Sequence, residues 1–380
     1  METVHRVLKG HPGFMHVAIG QAGSIAVGAV FWFLMARILD PGAYGQVNWF
    51  VSIAMFASAC CVLGWGTTIT TYYPKERNDG LLCGATTLVL IASLLVGIAI
   101  GALIGPLVGL LIFGLSLFSI TLSTELGKRS YRRYKWIQIC AKLMVLPLAV
   151  WMYFWIGLLG VLIGYAVPFM IFGLSSLRYV RRTNPGMIEA REKFGFAVKA
   201  FGANIASSST SWLDKILIGS FFGMAALGVY QLAYQIFMLL SMLPTILFSY
   251  LLPEKSAGTK TREVETLGVI AAVALSLSAA AVSPIIIPKV FPNFSGSVEL
   301  IQVMSFGVVP FSIAAMKMSG LYAHEMPGAV LISYLIALAV GIAGIIVLGN
   351  YFGALGLAMS VVLLQTTLAA LLGVYALRFA

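Results

Sequence analysis

Charged residues are scarce in this chain, and acidic residues are the scarcest of them. Its 380 residues include 13 Asp and Glu and 24 Lys and Arg, so that 10% of the sequence is charged. Soluble domains contain roughly 25% charged residues. Because 60% of the sequence is hydrophobic, the composition excludes an ordinary soluble domain and predicts a polytopic membrane protein.

Patterns typical of metal sites and enzymes are also missing. The four cysteines lie in apolar segments, and their spacing matches neither a disulfide framework nor a set of metal ligands. We therefore expect no metal and no cofactor. The sequence has no D-x-D, H-x-x-x-H or nucleophile-elbow motif. This absence argues against a membrane-embedded glycosyltransferase or polymerase, and we expect a protein that is not an enzyme.

Apolar stretches long enough to cross a bilayer predict an all-α protein with twelve transmembrane helices. Glycine and proline interrupt the helical pattern in the shortest turns between them. The expected limits are 14–39, 43–66, 81–105, 107–126, 137–156, 158–179, 200–223, 225–252, 265–288, 298–322, 328–349 and 353–377.

Most of the 24 Lys and Arg residues fall in connections on one side of the predicted spans. The positive-inside rule places such connections in the cytoplasm, so both termini are expected there, in a protein of the cytoplasmic (inner) membrane. Anionic lipid headgroups are natural partners for these loops. The net charge of +11 therefore gives no reason to expect nucleic acid as a partner. Membrane lipids are the partners that this charge pattern predicts.

Two pairs of similar short segments indicate an internal duplication. Residues 37–45 can be aligned with 220–228, and residues 157–161 with 353–357. We therefore predict one six-helix bundle at 1–182, a basic cytoplasmic linker at 183–199 and a second six-helix bundle at 200–380. Substrate sites in duplicated transporters tend to lie near the membrane midplane between the halves.

A carboxylate and an ammonium group stand side by side in the apolar run 200–223, at Asp214 and Lys215. Charges at such depth usually face a polar cavity or a partner. Adjacent residues point about 100° apart on a helix, so each could instead bond to a neighbouring helix and hold the bundle together. Polar residues precede them at helical spacing and form a stripe. They are Asn204, Ser207, Ser208 and Ser211.

Six further residues are candidates for lining a polar cavity. The polar ones could equally make hydrogen bonds between helices. The two lysines, Lys142 and Lys317, stand near the cytoplasmic ends of their predicted helices, which favours snorkelling to the headgroups. Arg37 could either snorkel to the headgroups or face the cavity. The six candidates are Arg37, Asn48, Lys142, Gln231, Gln235 and Lys317.

Two segments carry a resemblance to a known family. The first is the hairpin with Arg37, Leu39, Pro41, Tyr44 and Gly45, and the second is the run with Asp214, Ile218, Gly219, Gly223, Gly228 and Tyr230. The sequence resembles the polysaccharide-export and Wzx-type oligosaccharide flippases of the multidrug/oligosaccharidyl-lipid/polysaccharide exporter superfamily. This resemblance implies two six-helix bundles around a central cavity that work by alternating access.

The resemblance also implies the cargo. It would be an oligosaccharide on an isoprenoid phosphate or pyrophosphate, moved from the cytoplasmic to the external leaflet. A cation-coupled multidrug exporter of the same superfamily is the nearest alternative, but the first six predicted helices contain no acidic residue near mid-span. That absence favours an anionic cargo. Coupling to a proton or a sodium ion stays open, and we expect a monomer.

Overall fold

The computed structural model describes residues 12–180, 186–259 and 261–377, and in these ranges it contains helices and no strands. In a bilayer only helices and closed barrels satisfy every backbone polar group internally, and the long apolar runs of this chain form helices. The α-helices are α1 (Pro12–Ile38), α2 (Pro41–Cys61), α3 (Trp65–Glu76), α4 (Asp79–Ile104), α5 (Pro106–Gly127), α6 (Tyr131–Ile156), α7 (Leu158–Gly173), α8 (Met187–Phe222), α9 (Met224–Leu240), α10 (Met242–Ser256), α11 (Arg262–Val290), α12 (Ser297–Phe306), α13 (Val308–Ala323) and α14 (Pro327–Ala376). Short 3₁₀ helices follow α7 and α11, at Leu174–Tyr179 and Pro292–Phe294.

The twelve-span plan is consistent with these helices. In the described part of the chain, nine spans are long and apolar enough to cross a membrane, or ten if α2 and α3, which meet at 46°, form one bent span. Helix α14 is 50 residues long and contains one non-helical residue, Gly353 (φ 57°, ψ −137°), at the predicted break between the last two spans. Helix α8 has 36 residues but is not among the apolar spans.

The chain divides into two compact units. The first comprises the described part of Met1–Met35 together with Trp49–Leu213, and the second comprises Ala36–Asn48 together with Asp214–Ala380. These units differ from the halves predicted at residues 182 and 200, which stay a prediction about the duplication. Of the predicted linker 183–199, the portion from Met187 onward is the start of α8, and positions 183–185 lie outside the described residues.

Small residues let the helices of the first unit approach closely. Helix α5 packs against α4 and α7, and α6 packs against α7. A Cβ on Gly109 of α5 would overlap the carbonyl oxygen of Gly97 in α4, and a Cβ on Gly164 of α7 would overlap the backbone at Ala149 of α6. Such contacts are typical of membrane helices, whose association relies on close van der Waals packing.

In the second unit, the two turns that echo each other in sequence pack against each other. A Cβ on Gly45 would overlap the carbonyl oxygen of Met224, and a Cβ on Gly228 would overlap that of Pro41. In the alignment of 37–45 with 220–228, Pro41 corresponds to Met224 and Gly45 corresponds to Gly228. The two contacts are therefore the same contact made twice with the partners exchanged, as a local two-fold axis produces.

Candidate functional site

Asp214 and Lys215 form an ion pair in the last third of α8. The Lys215 Nζ lies 3.1 Å from Asp214 Oδ1 and 3.2 Å from Oδ2. Tyr230 of α9 donates its hydroxyl to Asp214 Oδ2 at 2.8 Å. The same Nζ lies 3.9 Å from the ring centroid of Tyr234, which stacks on Tyr230 at 5.8 Å. The two charges are thus neutralised locally and enclosed by two aromatic rings.

This pair joins α8 to α9 across the turn at Gly223. Side-chain exposure is 3% for Lys215 and 15% for Asp214. A buried ion pair of this kind loses much stability when one partner is removed, because the other charge is left uncompensated. Sequence spacing did not predict the pairing, since the flexible lysine side chain reaches back across the angle that separates adjacent residues on a helix.

The polar stripe of α8 begins in a contact with a neighbouring helix of the first unit. Asn204 donates from Nδ2 to Thr67 Oγ1 at 3.2 Å, and both of these residues belong to the first unit. Ser208 is half-buried and Ser211 is exposed. The side chain of the fourth stripe residue, at position 207, lies outside the described part of the chain. The structure therefore shows Asn204 in a contact between helices of one unit.

The predicted amide candidates occupy buried positions. Asn48 is 3% exposed and donates to the backbone oxygen of Tyr44, one turn earlier, at 2.8 Å. Gln231 is 4% exposed, and its Oε1 accepts no hydrogen bond from the residues that the structure describes. Gln235 is half-buried. Gln231 is therefore the member of this group with a buried acceptor still available.

Two of the predicted cations lie on exposed surfaces. Arg37 donates from Nη1 to the backbone oxygen of Val290 at 2.9 Å, and the side chain is exposed. A cation in that position satisfies a carbonyl at the C-terminal end of α11. Lys317 is exposed on α13. Neither residue is enclosed as Lys215 is.

Lys142 lies further from the start of its helix than expected. Helix α6 begins at Tyr131, six residues before the predicted start, because the basic residues assigned to the preceding loop are helical. At 1.5 Å per residue, Lys142 is about 16 Å from the start of the helix. The predicted start of this helix is therefore wrong by six residues. The added residues include Arg132, Arg133 and Lys135, which are expected at the headgroups, so the snorkelling of Lys142 stays a prediction.

The ammonium group of Lys142 points toward α1 and a cluster of aromatic rings. Its Nζ would lie 3.3 Å from a Cβ placed on Gly28. The small cavity beside it, about 20 Å³, is lined by Gly28, Phe31, Trp32, Val145, Tyr165 and Phe169 as well as by the lysine. Among the described residues, no hydrogen bond or ion pair is formed by Lys142. A half-buried ammonium group without a counter-ion therefore stands between α1 and α6 in the first unit.

Sequence reasoning missed these aromatic neighbours of Lys142. Their rings pack in a chain, with centroids 5.6 Å apart for Phe31 and Tyr165 and 5.2 Å apart for Tyr165 and Phe169. The available signal was helical spacing, because Gly28 and Trp32 are four residues apart, as are Tyr165 and Phe169.

In the described ranges, no group of three or more His, Cys, Asp or Glu side chains could hold a metal ion.

Comparison with known proteins gives the family. A family model described as polysaccharide biosynthesis protein matches residues 13–258, well over half of the chain. The chain belongs to this family. The resemblance carried by the hairpin and by the run from Asp214 to Tyr230 is thereby confirmed, and the protein is a multi-pass membrane protein of a transporter family.

One curated relative and two solved structures illustrate the similarity. The Probable flippase AglR of Haloferax volcanii is 26% identical over 220 residues, which are 54% of this chain and 46% of AglR. The chain therefore matches about half the length of this relative. The lipid II flippase MurJ has a TM-score of 0.70 at 15% identity, covering 96% of this chain and 86% of MurJ. An inward-facing multidrug resistance MATE transporter of the MOP superfamily has a TM-score of 0.68 at 12% identity, covering 97% and 98%. At these identities the two structures show the fold alone.

Proposed function

We propose that this protein is a flippase for a lipid-linked oligosaccharide. It moves an oligosaccharide on an isoprenoid phosphate or pyrophosphate from the cytoplasmic to the external leaflet by alternating access. Membership of the polysaccharide biosynthesis family and the name of AglR, a probable flippase, support this function. The fold is also that of the lipid II flippase MurJ.

The observation that carries the proposal is the unpaired ammonium of Lys142. Burying a charge without a counter-ion costs free energy, and such groups inside membrane proteins mark pathways for substrates or ions. A phosphate or pyrophosphate is the anion that the proposed cargo brings. The surrounding rings of Phe31, Trp32 and Tyr165 provide the apolar and aromatic lining that is typical of ligand sites.

Lys142 ranks ahead of Lys215 as the phosphate contact. The charge of Lys215 is cancelled by Asp214 at 3.1 Å, so an incoming anion would have to compete with a carboxylate that is already in place. Lys142 has no such competitor among the described residues. We therefore assign Asp214 and Lys215 to holding α8 against α9, and Lys142 to the cargo phosphate.

Access to Lys142 must change during transport. The space beside Nζ is about 20 Å³, which is enough for one water molecule and too small for a sugar ring. The cargo phosphate would thus reach Lys142 only when α1 moves away from α6 and α7. Alternating access supplies such a movement, because the helices around a transport site separate toward one side of the membrane at a time.

The multidrug exporter is the second candidate, since MATE transporters share the fold. A cationic drug needs an acidic partner within the membrane. In the first unit, the acids that the structure describes stand within two turns of a helix end, and they are Glu76, Asp79, Glu125, Glu189 and Glu192. The cation at Lys142 therefore favours an anionic cargo over a cationic drug.

Location, coupling and assembly complete the proposal. The basic connections support an inner-membrane protein with both termini in the cytoplasm. We propose that it works as a monomer among membrane lipids. Asp214 is the acidic residue nearest to mid-span in the second unit, and its pairing with Lys215 argues that any proton or sodium coupling proceeds without breaking that pair.

Transport by purified variants tests the role of Lys142. The protein is reconstituted into liposomes with a fluorescent oligosaccharide on a polyprenyl pyrophosphate, and appearance in the far leaflet is followed with an impermeant quencher. Lys142→Gln should slow transport roughly ten- to a hundred-fold, the value of one charge-assisted hydrogen bond, and Lys142→Arg should retain most of the rate.

Lys317→Gln is the matched control, because it removes the same charge from an exposed position. It should leave the rate unchanged. Lys142→Gln should also keep or raise thermal stability, since it removes a half-buried charge that has no counter-ion. Equal transport by the two Gln variants would contradict a phosphate contact at Lys142.

A further inference from the structure

A second cavity of the first unit opens where α5 turns into α6. Its volume is about 670 Å³, within the range of small-molecule sites. Three arginines, Arg129, Arg132 and Arg133, line it together with His16 of α1. None of these residues lines the space beside Lys142. The proposed transport of an oligosaccharide does not explain why so much positive charge surrounds this cavity.

The turn itself holds an arginine where glycine is preferred. Ser130 donates its N–H to the carbonyl of Glu125 at 2.8 Å, and Arg129 donates its N–H to Leu126 at 2.9 Å. This pair of bonds is the Schellman motif, in which the residue at the position of Arg129 adopts a left-handed conformation. Arg129 has a φ of 56°, which costs free energy for any residue other than glycine. The turn thereby holds the Arg129 side chain beside the cavity.

The positive charge around the cavity is only partly neutralised. Glu125, whose side chain is 2% exposed, accepts from Arg178 at 2.7 Å and lies 4.0 Å from Arg133. Arg129 and Arg132 form no ion pair among the described residues. The Nδ1 of His16 is buried and has no hydrogen-bond partner within the same part of the chain. Two cations without an ion pair are therefore available to an anion.

The start of α6 adds to this potential. Tyr134 donates its N–H to the carbonyl of Ser130, so the N–H groups of the three preceding residues have no partner inside the helix. Ser130 makes no side-chain cap for them. Unpaired N–H groups and the helix dipole both favour an anion at this end of α6.

Another part of the cavity lining is apolar. It is formed by Trp136, Ile137 and Phe172. Trp136 is 52% exposed, as expected for a tryptophan at the level of the lipid headgroups. A ligand that fits both parts of the lining has a phosphate at one end and a hydrocarbon chain at the other. A free phosphate would leave the apolar part unused.

We propose that this cavity binds the headgroup of an anionic membrane phospholipid. Its phosphate contacts Arg129, Arg132 and the N–H groups at the start of α6, and its acyl chain lies along Trp136 and Phe172. The site would hold a resident lipid at the membrane surface of the first unit. This assignment is independent of the cargo and of Lys142.

Thermal unfolding of the purified full chain tests the proposal. The protein in detergent is titrated with phosphatidylglycerol, with phosphatidylcholine of the same acyl chains, and with inorganic phosphate, and tryptophan fluorescence reports the midpoint. Phosphatidylglycerol should raise the midpoint, because a ligand that binds only the folded state stabilises it. Phosphatidylcholine and inorganic phosphate should have little effect at the same concentrations.

Arg129→Gly and Arg77→Gly form a matched pair of variants. Arg77 is also an exposed arginine with a positive φ, 49°, at the end of α3, and it does not line the cavity. Both changes remove one charge and relieve the same backbone strain, so neither should lower the midpoint without lipid. Arg129→Gly should need about ten-fold more phosphatidylglycerol for the same shift, whereas Arg77→Gly should respond as the unmodified chain does.

Several results would overturn this site. The two glycine variants would respond equally to phosphatidylglycerol if Arg129 did not contact the lipid. Arg132→Gln, which leaves the turn intact, should weaken the response in the same direction, and a normal response would also count against the proposal. An equal shift with inorganic phosphate would replace the lipid by a free anion, and an equal shift with phosphatidylcholine would remove the role of charge. Stronger stabilisation by a polyprenyl phosphate would reassign the cavity to the cargo.

Discussion

Replacing Asp214 by Asn should destabilise the second unit more than replacing Lys215 by Met. Asp214→Asn leaves an ammonium group whose side chain is 3% exposed, whereas Lys215→Met leaves a carboxylate that is 15% exposed and still accepts from Tyr230. At 3.1 Å the Coulomb attraction is about 5 kcal/mol for an effective dielectric constant of about 20. Breaking one side of a buried pair typically costs about 3–5 kcal/mol. We place Asp214→Asn at the upper end and Lys215→Met at the lower end.

The double variant Asp214→Asn/Lys215→Met distinguishes an ion pair from two unrelated polar residues. It leaves no uncompensated charge, so its cost should be far below the sum of the two single costs. The assay is thermal unfolding of the four proteins in the same detergent and lipid, where each single change should lower the midpoint by roughly 6–20 °C for a unit of this size. Additive losses, or a normal midpoint for Asp214→Asn, would refute the pairing as a source of stability.

Two further predictions concern the reciprocal turn contact and the topology. Gly45→Ala and Gly228→Ala should each lower stability by about 1–3 kcal/mol, because the new methyl group overlaps a carbonyl oxygen of the other turn. The control Gly195→Ala, at a position with open space around it, should raise stability by about 0.5–1 kcal/mol. Equal unfolding midpoints for all three variants would contradict the close approach. A single cysteine placed at Thr183 should resist an impermeant thiol reagent in spheroplasts and react after permeabilisation, since the basic connection around it is expected in the cytoplasm. Labelling from outside would invert the topology.

Hydrophobic length and loop chemistry allowed most of the helices to be predicted. The break at Gly353 was expected from the short Asn350–Gly353 connection, and the turns at Gly105, Gly157 and Gly223 all have a positive φ that favours glycine. Helix breaks and turns of this kind can be predicted from sequence, because each depends on a few adjacent residues. The start of α6 was predicted too late, because its first residues are basic and were therefore assigned to the loop, whereas they are helical.

The neighbours of the candidate residues could not be predicted in this way. Lys142 and Tyr165 meet at the same cavity although they are far apart in sequence, and only the packing of α6 on α7 brings them together. The pairing of Asp214 with Lys215 was missed for a different reason. Helical geometry fixes the direction of each Cβ, but the four-carbon stem of lysine gives its ammonium group several positions around that direction. Side-chain reach therefore limits arguments from spacing alone.

The reciprocal contact of the two turns has an evolutionary consequence. Two separate copies of one half-length chain would make this contact with each other, each glycine lying against the partner's equivalent of Pro41. A mutation in such a gene would alter both copies of the turn, so only changes that still let the turn pack against an identical copy of itself would be tolerated. Once the copies are fused, each side is inherited separately. If the predicted duplication took place, Pro41 on one side and Met224 on the other, opposite two glycines, are the divergence that this relaxed constraint would allow.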